Sequence, residues 1–260
     1  MKVGLIGCGV IGRALLSHLA AAAADVKVVG VLVTDPAKHA PAAWKITTDA
    51  AEFLATGPEL IVECAGQHAF AALVPGILAA GYEVVAASSG ALADDAVRVA
   101  VDAAARAGGG RLYIPAGALA GVDALAGAKQ VGLAAVRYVR TAPPATWVRA
   151  GALSEDAARA LTAPTVVFEG SAREAVKRFP KNANVAATLA LAGIGFERTR
   201  VQLIADPAAT GNTHAIEAEG AFGTLRTSMG TEVIPGTSTS RIVAGSLAHA
   251  VLSRASCIVV

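Results

Sequence analysis

The hydrophobic and polar positions of this chain fall into two regimes. Up to about residue 117, short apolar runs alternate with segments of helical period. The runs predict strands at 2–6, 26–33, 59–64, 82–87 and 111–114, and the periodic segments predict helices at 11–24, 69–80 and 94–107. Strands and helices alternating at this spacing predict a parallel, doubly wound sheet, with ligands beyond the C-terminal ends of its strands. Three small, flexible segments fall at those ends: Glu63-Cys64-Ala65-Gly66, Ser88-Ser89-Gly90 and Pro115-Ala116-Gly117-Ala118. After Ala118 the simple alternation fades. A helix is expected at 119–130, strands at 133–140 and 164–169, and a helix at 171–179 capped by Ser171. Three strand-like runs follow at 198–205, 212–219 and 223–229, with Asp206-Pro207 and Glu219-Gly220 as turn signals, so antiparallel pairing is expected there. The last helix is expected at 239–253, packing back on the first domain.

The first strand runs directly into Gly7-Cys8-Gly9-Val10-Ile11-Gly12, a G-x-G-x-x-G that opens a helix. Gly7 suits a tight turn, Gly9 lets backbone approach a pyrophosphate, and Gly12 allows close helix–strand packing. The spacing predicts dinucleotide binding through Gly7, Gly9, Val10, Ile11 and Gly12, and Cys64 and Ala65, at the C-terminal end of the strand 59–64, are candidates for the same cofactor. The fold class is therefore α/β: a Rossmann-type doubly wound parallel sheet with a second α+β domain. The first domain is drawn from residues 1–117 plus 237–260 and the second from 118–236. The second strand ends at Thr34-Asp35, with Lys38 just beyond. Asp35 either bonds a ribose hydroxyl or caps the Asp35-Pro36 turn, and Lys38 suits a 2′-phosphate, so NAD and NADP both remain open. Cys64 reads as a packing residue rather than a nucleophile.

The second half carries its own chemistry. Phe179 to Gly195, FPKNANVAATLALAGIG, opens with a Pro-Lys-Asn turn and runs into an Ala/Leu-rich helix. Lys181, Asn182 and Asn184 stand at its start and either cap the helix or meet an anionic ligand. In the strand 212–219, period two puts Asn212, His214 and Ile216 on one face. His214 is either a structural histidine or a base that titrates near neutral pH.

Composition narrows the function classes. Of 260 residues, 54% are hydrophobic and only 4% aromatic, so small aliphatic side chains must build the core. A net charge of +2 gives no electrostatic case for nucleic acid or an anionic membrane. Every apolar run is broken before it could span a bilayer. Cys8, Cys64 and Cys257 form an odd, scattered set without C-x-x-C, so no disulfide framework or metal site is expected and a reducing cytoplasm is the default.

With these residues placed, the chain resembles the L-aspartate dehydrogenase family nearly end to end. The resemblance rests on GLIGCGVIGRALL, VECAGQHA, SSGALAD, PAGALAGVDAL, TVVFEGSAREAVKRFPKNANVAATLALAG, GNTHAIEAEGAFG and TSR before the last helix. PKNANVAA and N-T-H-x-I-x-x-x-G-x-F-G are far more specific than the glycine fingerprint. The resemblance implies oxidative deamination of L-aspartate with NAD or NADP. It implies His214 as the catalytic residue, and Ala118 and Asn184 as cofactor contacts. It also implies a homodimer or larger homo-oligomer formed through the second domain. Lys181, Asn182, Asn212, Thr239, Ser240 and Arg241 are the candidates to hold substrate. Two departures stand out: Gly236-Thr237-Ser238 occupies the place of the family's Asn-Pro-Lys, and Ala142 that of its lysine before Pro-Pro. Other readings of the same plan are a homoserine dehydrogenase-like or dihydrodipicolinate reductase-like enzyme, or a dinucleotide sensor without turnover.

Overall fold

The computed structural model describes residues 1–22, 25–39, 42–180, 184–232, 234, 237 and 239–259. It divides into two compact units, Met1–Gly117 with Val243–Val260, and Ala118–Ile242. The return to the first unit lies at Val243 rather than residue 237. Ser240 and Arg241 remain tied to the second unit: Arg241 N donates to Glu232 O at 2.9 Å, and the Ser240 and Thr231 hydroxyls bond at 2.9 Å.

In the first unit, β1 (Lys2–Ile6) leads into α1 (Val10–Ala21) and β2 (Lys27–Leu32). Then come β3 (Lys45–Thr47), α2 (Ala50–Leu54), β4 (Leu60–Glu63), α3 (Gln67–Ala79), β5 (Glu83–Ala86), α4 (Asp95–Gly108) and β6 (Arg111–Tyr113). The short β3 and α2 carry too few residues to show a period, and neither is expected from the sequence. The six strands form a parallel sheet in the order β3-β2-β1-β4-β5-β6. The order reverses between β1 and β4, which is where a doubly wound sheet opens a crevice beyond its strand ends. The central strands are apolar on both faces, as a sheet covered on both sides requires: Val3, Leu5, Leu60 and Val62 are buried with Leu15 and Leu19 of α1 on one face, and Ile6 and Ile61 are buried on the other.

The second unit begins with α5 (Val122–Val131) and the long β7 (Leu133–Ala142). It continues through α6 (Pro144–Arg149), α7 (Glu155–Ala160), β8 (Thr165–Ser171), α8 (Ala172–Arg178), α9 (Asn184–Ala192), β9 (Arg200–Ala205), β10 (Asn212–Gly220) and β11 (Gly223–Thr231). Ser171 caps α8 through a full capping box with Glu174. The sheet order is β11-β10-β7-β9-β8. This corrects the expectation of three consecutive antiparallel strands. Only β10 and β11 form a hairpin, while β7 lies between β10 and β9 and runs parallel to β9. Period two cannot show which strands are neighbours, so the insertion is invisible in the local pattern.

The chain closes with α10 (Arg241–Leu252). Its Leu247, Ala248, Ala250 and Val251 join the core of the first unit.

Candidate active site

The first unit holds a cleft of about 670 Å³ at the sheet crevice, lined by Gly7, Gly9, Lys38, Cys64 and Ala65 among others. Each fingerprint glycine meets a different constraint there. Gly7 has φ +92°, and a Cβ on it would lie 2.7 Å from the Ala65 Cα. A Cβ on Gly12 would lie 2.6 Å from the Gly7 carbonyl oxygen. Gly9 differs, because nothing lies within 4 Å of the Cβ it lacks. It opens α1 with no side-chain cap. Val10 and Ile11 begin the helix, so the dipole and backbone N–H groups of its first turn face this end. An open glycine at an uncapped helix start fits a pyrophosphate.

Glu63, at the end of β4, fixes the neighbouring loops. Its Oε1 accepts from Ala65 N at 2.8 Å, Gly66 N at 3.0 Å and Ser88 Oγ at 2.8 Å. Its Oε2 accepts from Ser88 N at 3.2 Å. Full burial pushes the carboxyl pKa up, against the pull of these bonds. Cys64 donates its thiol to Gly7 O at 3.3 Å, and burial raises the thiol pKa strongly. A thiol held protonated is a packing group, not a nucleophile.

Asp35 does not line the cleft. Its carboxylate caps the 3-10 turn Pro36–Lys38 by accepting from Ala37 N, and pairs with Lys38 Nζ at 3.1 Å. Asp35 thus caps the turn that carries Lys38, and Lys38 and Thr34 on either side of it line the cleft.

The second unit gathers a buried polar group on one face of its sheet. β10 alternates as expected, with Asn212, His214 and Ile216 buried. Antiparallel register sets Arg140 of β7 opposite His214 and Tyr138 opposite Ile216. Tyr138 Oη lies 2.6 Å from His214 Nδ1, with the rings stacked at 10°. Arg140 Nη2 donates to Asn212 Oδ1 at 3.2 Å, and its guanidinium lies 5.1 Å from the Trp147 ring centroid. Thr231 Oγ1 bonds the Asn212 carbonyl at 3.4 Å and the Ser240 hydroxyl at 2.9 Å. Burial first, and the Arg140 charge second, lower the His214 pKa to about 3. The ring is therefore neutral, and its Nε2 has no hydrogen-bond partner among the described residues.

The structure thus links Asn212 and Ser240 through Thr231 and sets the buried His214 on the same strand face as Asn212. Thr239 precedes Ser240, bonded through its own backbone to Thr237 and Ile234. Asn184 begins α9 and Ala118 is buried in the second unit. Lys181 and Asn182 lie outside the described residues. Tyr138 and Arg140 were missed from the sequence, although a strand reading Arg-Tyr-Val-Arg with polar residues on its inner face was the available signal.

Comparison with known proteins settles the family. A family model for the C-terminal part of aspartate dehydrogenase matches residues 123–254, and one for the NAD-binding domain of homoserine dehydrogenase matches 7–115. L-aspartate dehydrogenase 1 of Bordetella parapertussis is 48% identical over 97% of this chain and 95% of its own. The chain belongs to the aspartate dehydrogenase family. It is an oxidoreductase whose first unit is an NAD-binding domain of the Rossmann type. Another member of the family, L-aspartate dehydrogenase of Cupriavidus taiwanensis, is 39% identical over 98% of both chains. The crystal structure of aspartate dehydrogenase from Thermotoga maritima superposes with a TM-score of 0.81 at 27% identity, covering 100% of this chain and 99% of that one. The family's fold therefore spans the whole length of this chain.

Proposed function

We propose that this protein oxidises L-aspartate with NAD or NADP, giving iminoaspartate and then, by hydrolysis, oxaloacetate and ammonia. The imine released intact would feed the biosynthesis of NAD. The observation that carries the reading is the buried neutral His214, flanked by Arg140 and Asn212, in a chain whose relatives are named L-aspartate dehydrogenases.

The cofactor cleft supplies placement: Gly9 admits the pyrophosphate, the start of α1 bears its charge, and Glu63 sets the Ala65 and Ser88 loops. A nicotinamide dinucleotide held by these residues would supply the acceptor for the hydride of the substrate Cα. In the second unit, Arg140 adds positive charge to the face that carries His214, which suits a dicarboxylate. Asn212, Thr239 and Ser240, with Lys181 and Asn182, complete the substrate set. His214 is the catalytic residue, meeting the reacting amino acid through Nε2. The second domain is also the surface through which the homo-oligomer forms. No described helix is long and apolar enough to cross a membrane, which suits a cytoplasmic enzyme.

The test is nicotinamide absorbance with L-aspartate and either cofactor, run also in reverse with oxaloacetate and ammonia. Homoserine and a cyclic imine serve as competing substrates. Turnover on aspartate well above both is the expected result. Preference for homoserine or the imine, or cofactor binding without turnover, overturns the assignment.

A further inference from the structure

Tyr138 and His214 form a closed pair. Both are buried, at 2% and 4% exposure, on adjacent strands. The contact to His214 Nδ1 at 2.6 Å is the phenol's one hydrogen bond among the described residues. Two assignments of the shared hydrogen are possible. If Nδ1–H donated to Oη, the phenol hydrogen would be buried with no acceptor among the described residues. If Oη–H donates to Nδ1, the phenol is satisfied and the neutral ring's single hydrogen sits on Nε2, the pair's one donor left unpaired among the described residues; the other assignment leaves both the phenol hydrogen and the Nε2 lone pair without partners there. Burial keeps both partners uncharged: it raises the phenol pKa and lowers that of the imidazole.

We propose that Tyr138 is a positioning residue that donates its hydroxyl hydrogen to His214 Nδ1, holding the ring as its Nε2–H tautomer so that it meets substrate as a hydrogen-bond donor. The proposal deepens the reading of His214 as the catalytic residue and rests on it. In this tautomer Nε2 has no lone pair to take the ammonium proton of an amino acid. It suits an acceptor instead: a carboxylate, the carbonyl oxygen of a keto acid, or the nitrogen of an amine already neutral. The substrate's ammonium proton is then lost to water before hydride transfer. The rising limb of kcat/KM with pH reports the substrate amine, not the histidine.

The experiment is long-range nitrogen–hydrogen correlation NMR on the full-length protein labelled with 15N-histidine, ligand-free at neutral pH. His214→Gln identifies the His214 signals among the five histidines. A pyridine-like Nδ1 and a pyrrole-like Nε2 are expected. Tyr138→Phe should shift the ring toward a mixture of tautomers and lower kcat/KM by roughly 3- to 10-fold, the worth of one hydrogen bond, with cofactor affinity unchanged. A hydrogen on Nδ1 in the wild type, or a tautomer unmoved in Tyr138→Phe, overturns the proposal. The wild-type spectrum alone decides if that variant does not fold. Failure of the functional reading has a separate sign, an active His214→Ala enzyme, while the ring's tautomer is read independently in the wild-type spectrum.

Discussion

Arg140 stands directly across the antiparallel ladder from His214, and both are buried on the same face of the second sheet. The guanidinium charge adds to burial in disfavouring imidazolium, and the two together set the imidazole pKa at about 3. Tyr138, itself uncharged, is the other titratable group against the ring. An unfolded histidine titrates near 6.5, so the unfolded chain binds a proton that the folded one refuses. Stability from this site is complete above about pH 6.5 and is lost as pH falls toward 3, at about 1.4 kcal/mol per pH unit. Urea unfolding at pH 7 and pH 5 checks it. His214→Gln should flatten the difference, and equal slopes in both proteins would rule out a depressed pKa.

His214→Ala should lower kcat by about 10²–10⁴-fold, the range for a residue that handles a proton or its hydrogen bond in the transition state. Cofactor affinity should stay near wild type, because Gly7, Gly9 and Gly12 lie in the other unit. The low pKa also goes against the reading of His214 as a base that titrates near neutral pH. Between about pH 5 and 8 the kcat/KM profiles of wild type and mutant should share one shape. Near-normal turnover with a native melting temperature would falsify the catalytic role.

Glu63→Gln replaces a carboxylate that accepts four hydrogen bonds with an amide bearing one acceptor oxygen. The amide nitrogen cannot accept from Ser88 N or from the Ala65–Gly66 loop. A buried donor left unpaired costs about 1–3 kcal/mol. The melting temperature should fall and dinucleotide affinity with it, while KM for aspartate at saturating cofactor stays close to wild type. Calorimetric titration with NAD reads the loss; unchanged affinity would mean that the loops hold their places without the carboxylate.

Lys38→Ala should weaken NADP binding and leave NAD nearly unchanged, since Lys38 reaches the cleft and a 2′-phosphate is the added charge. Its pairing with Asp35 is half-exposed and worth little. Asp35→Asn should therefore shift the preference only modestly toward NADP. Parallel losses for both cofactors would remove Lys38 from the discrimination.

The sequence carried the doubly wound half well, because strand–helix alternation and a glycine fingerprint are local signals. Asn212, His214 and Ile216 were likewise legible, since period two fixes a face. What local pattern could not show was the neighbour across the ladder. Tyr138 and Arg140 meet His214 only because β7 inserts between β9 and β10. The same insertion sets the Arg140 charge beside His214, which adds to burial in holding the ring neutral. Trp147, packed against Arg140, sits on α6, a helix too short to announce itself by period.

Gly9 and Gly12 make the sharpest comparison, because the same substitution meets opposite surroundings three residues apart. A Cβ at Gly12 would sit 2.6 Å from the Gly7 carbonyl oxygen and 3.3 Å from the Cys64 sulfur. Backbone must move to admit it, so Gly12→Ala should destabilise the fold by about 1–3 kcal/mol, in spite of alanine's better helix propensity. A Cβ at Gly9 meets nothing within 4 Å, and its φ of −75° is open to any residue. Gly9→Ala should leave stability within about 0.5 kcal/mol of wild type. The space it fills is where pyrophosphate meets backbone, so dinucleotide affinity should drop at least about tenfold, equivalent to about 1.4 kcal/mol. Thermal melts with and without NAD separate the two effects. Gly12→Ala should lower the apo melting temperature. Gly9→Ala should keep it and lose most of the rise that NAD confers on the wild type. A Gly9→Ala protein that binds NAD as tightly as wild type would sink the assignment of this turn to the pyrophosphate.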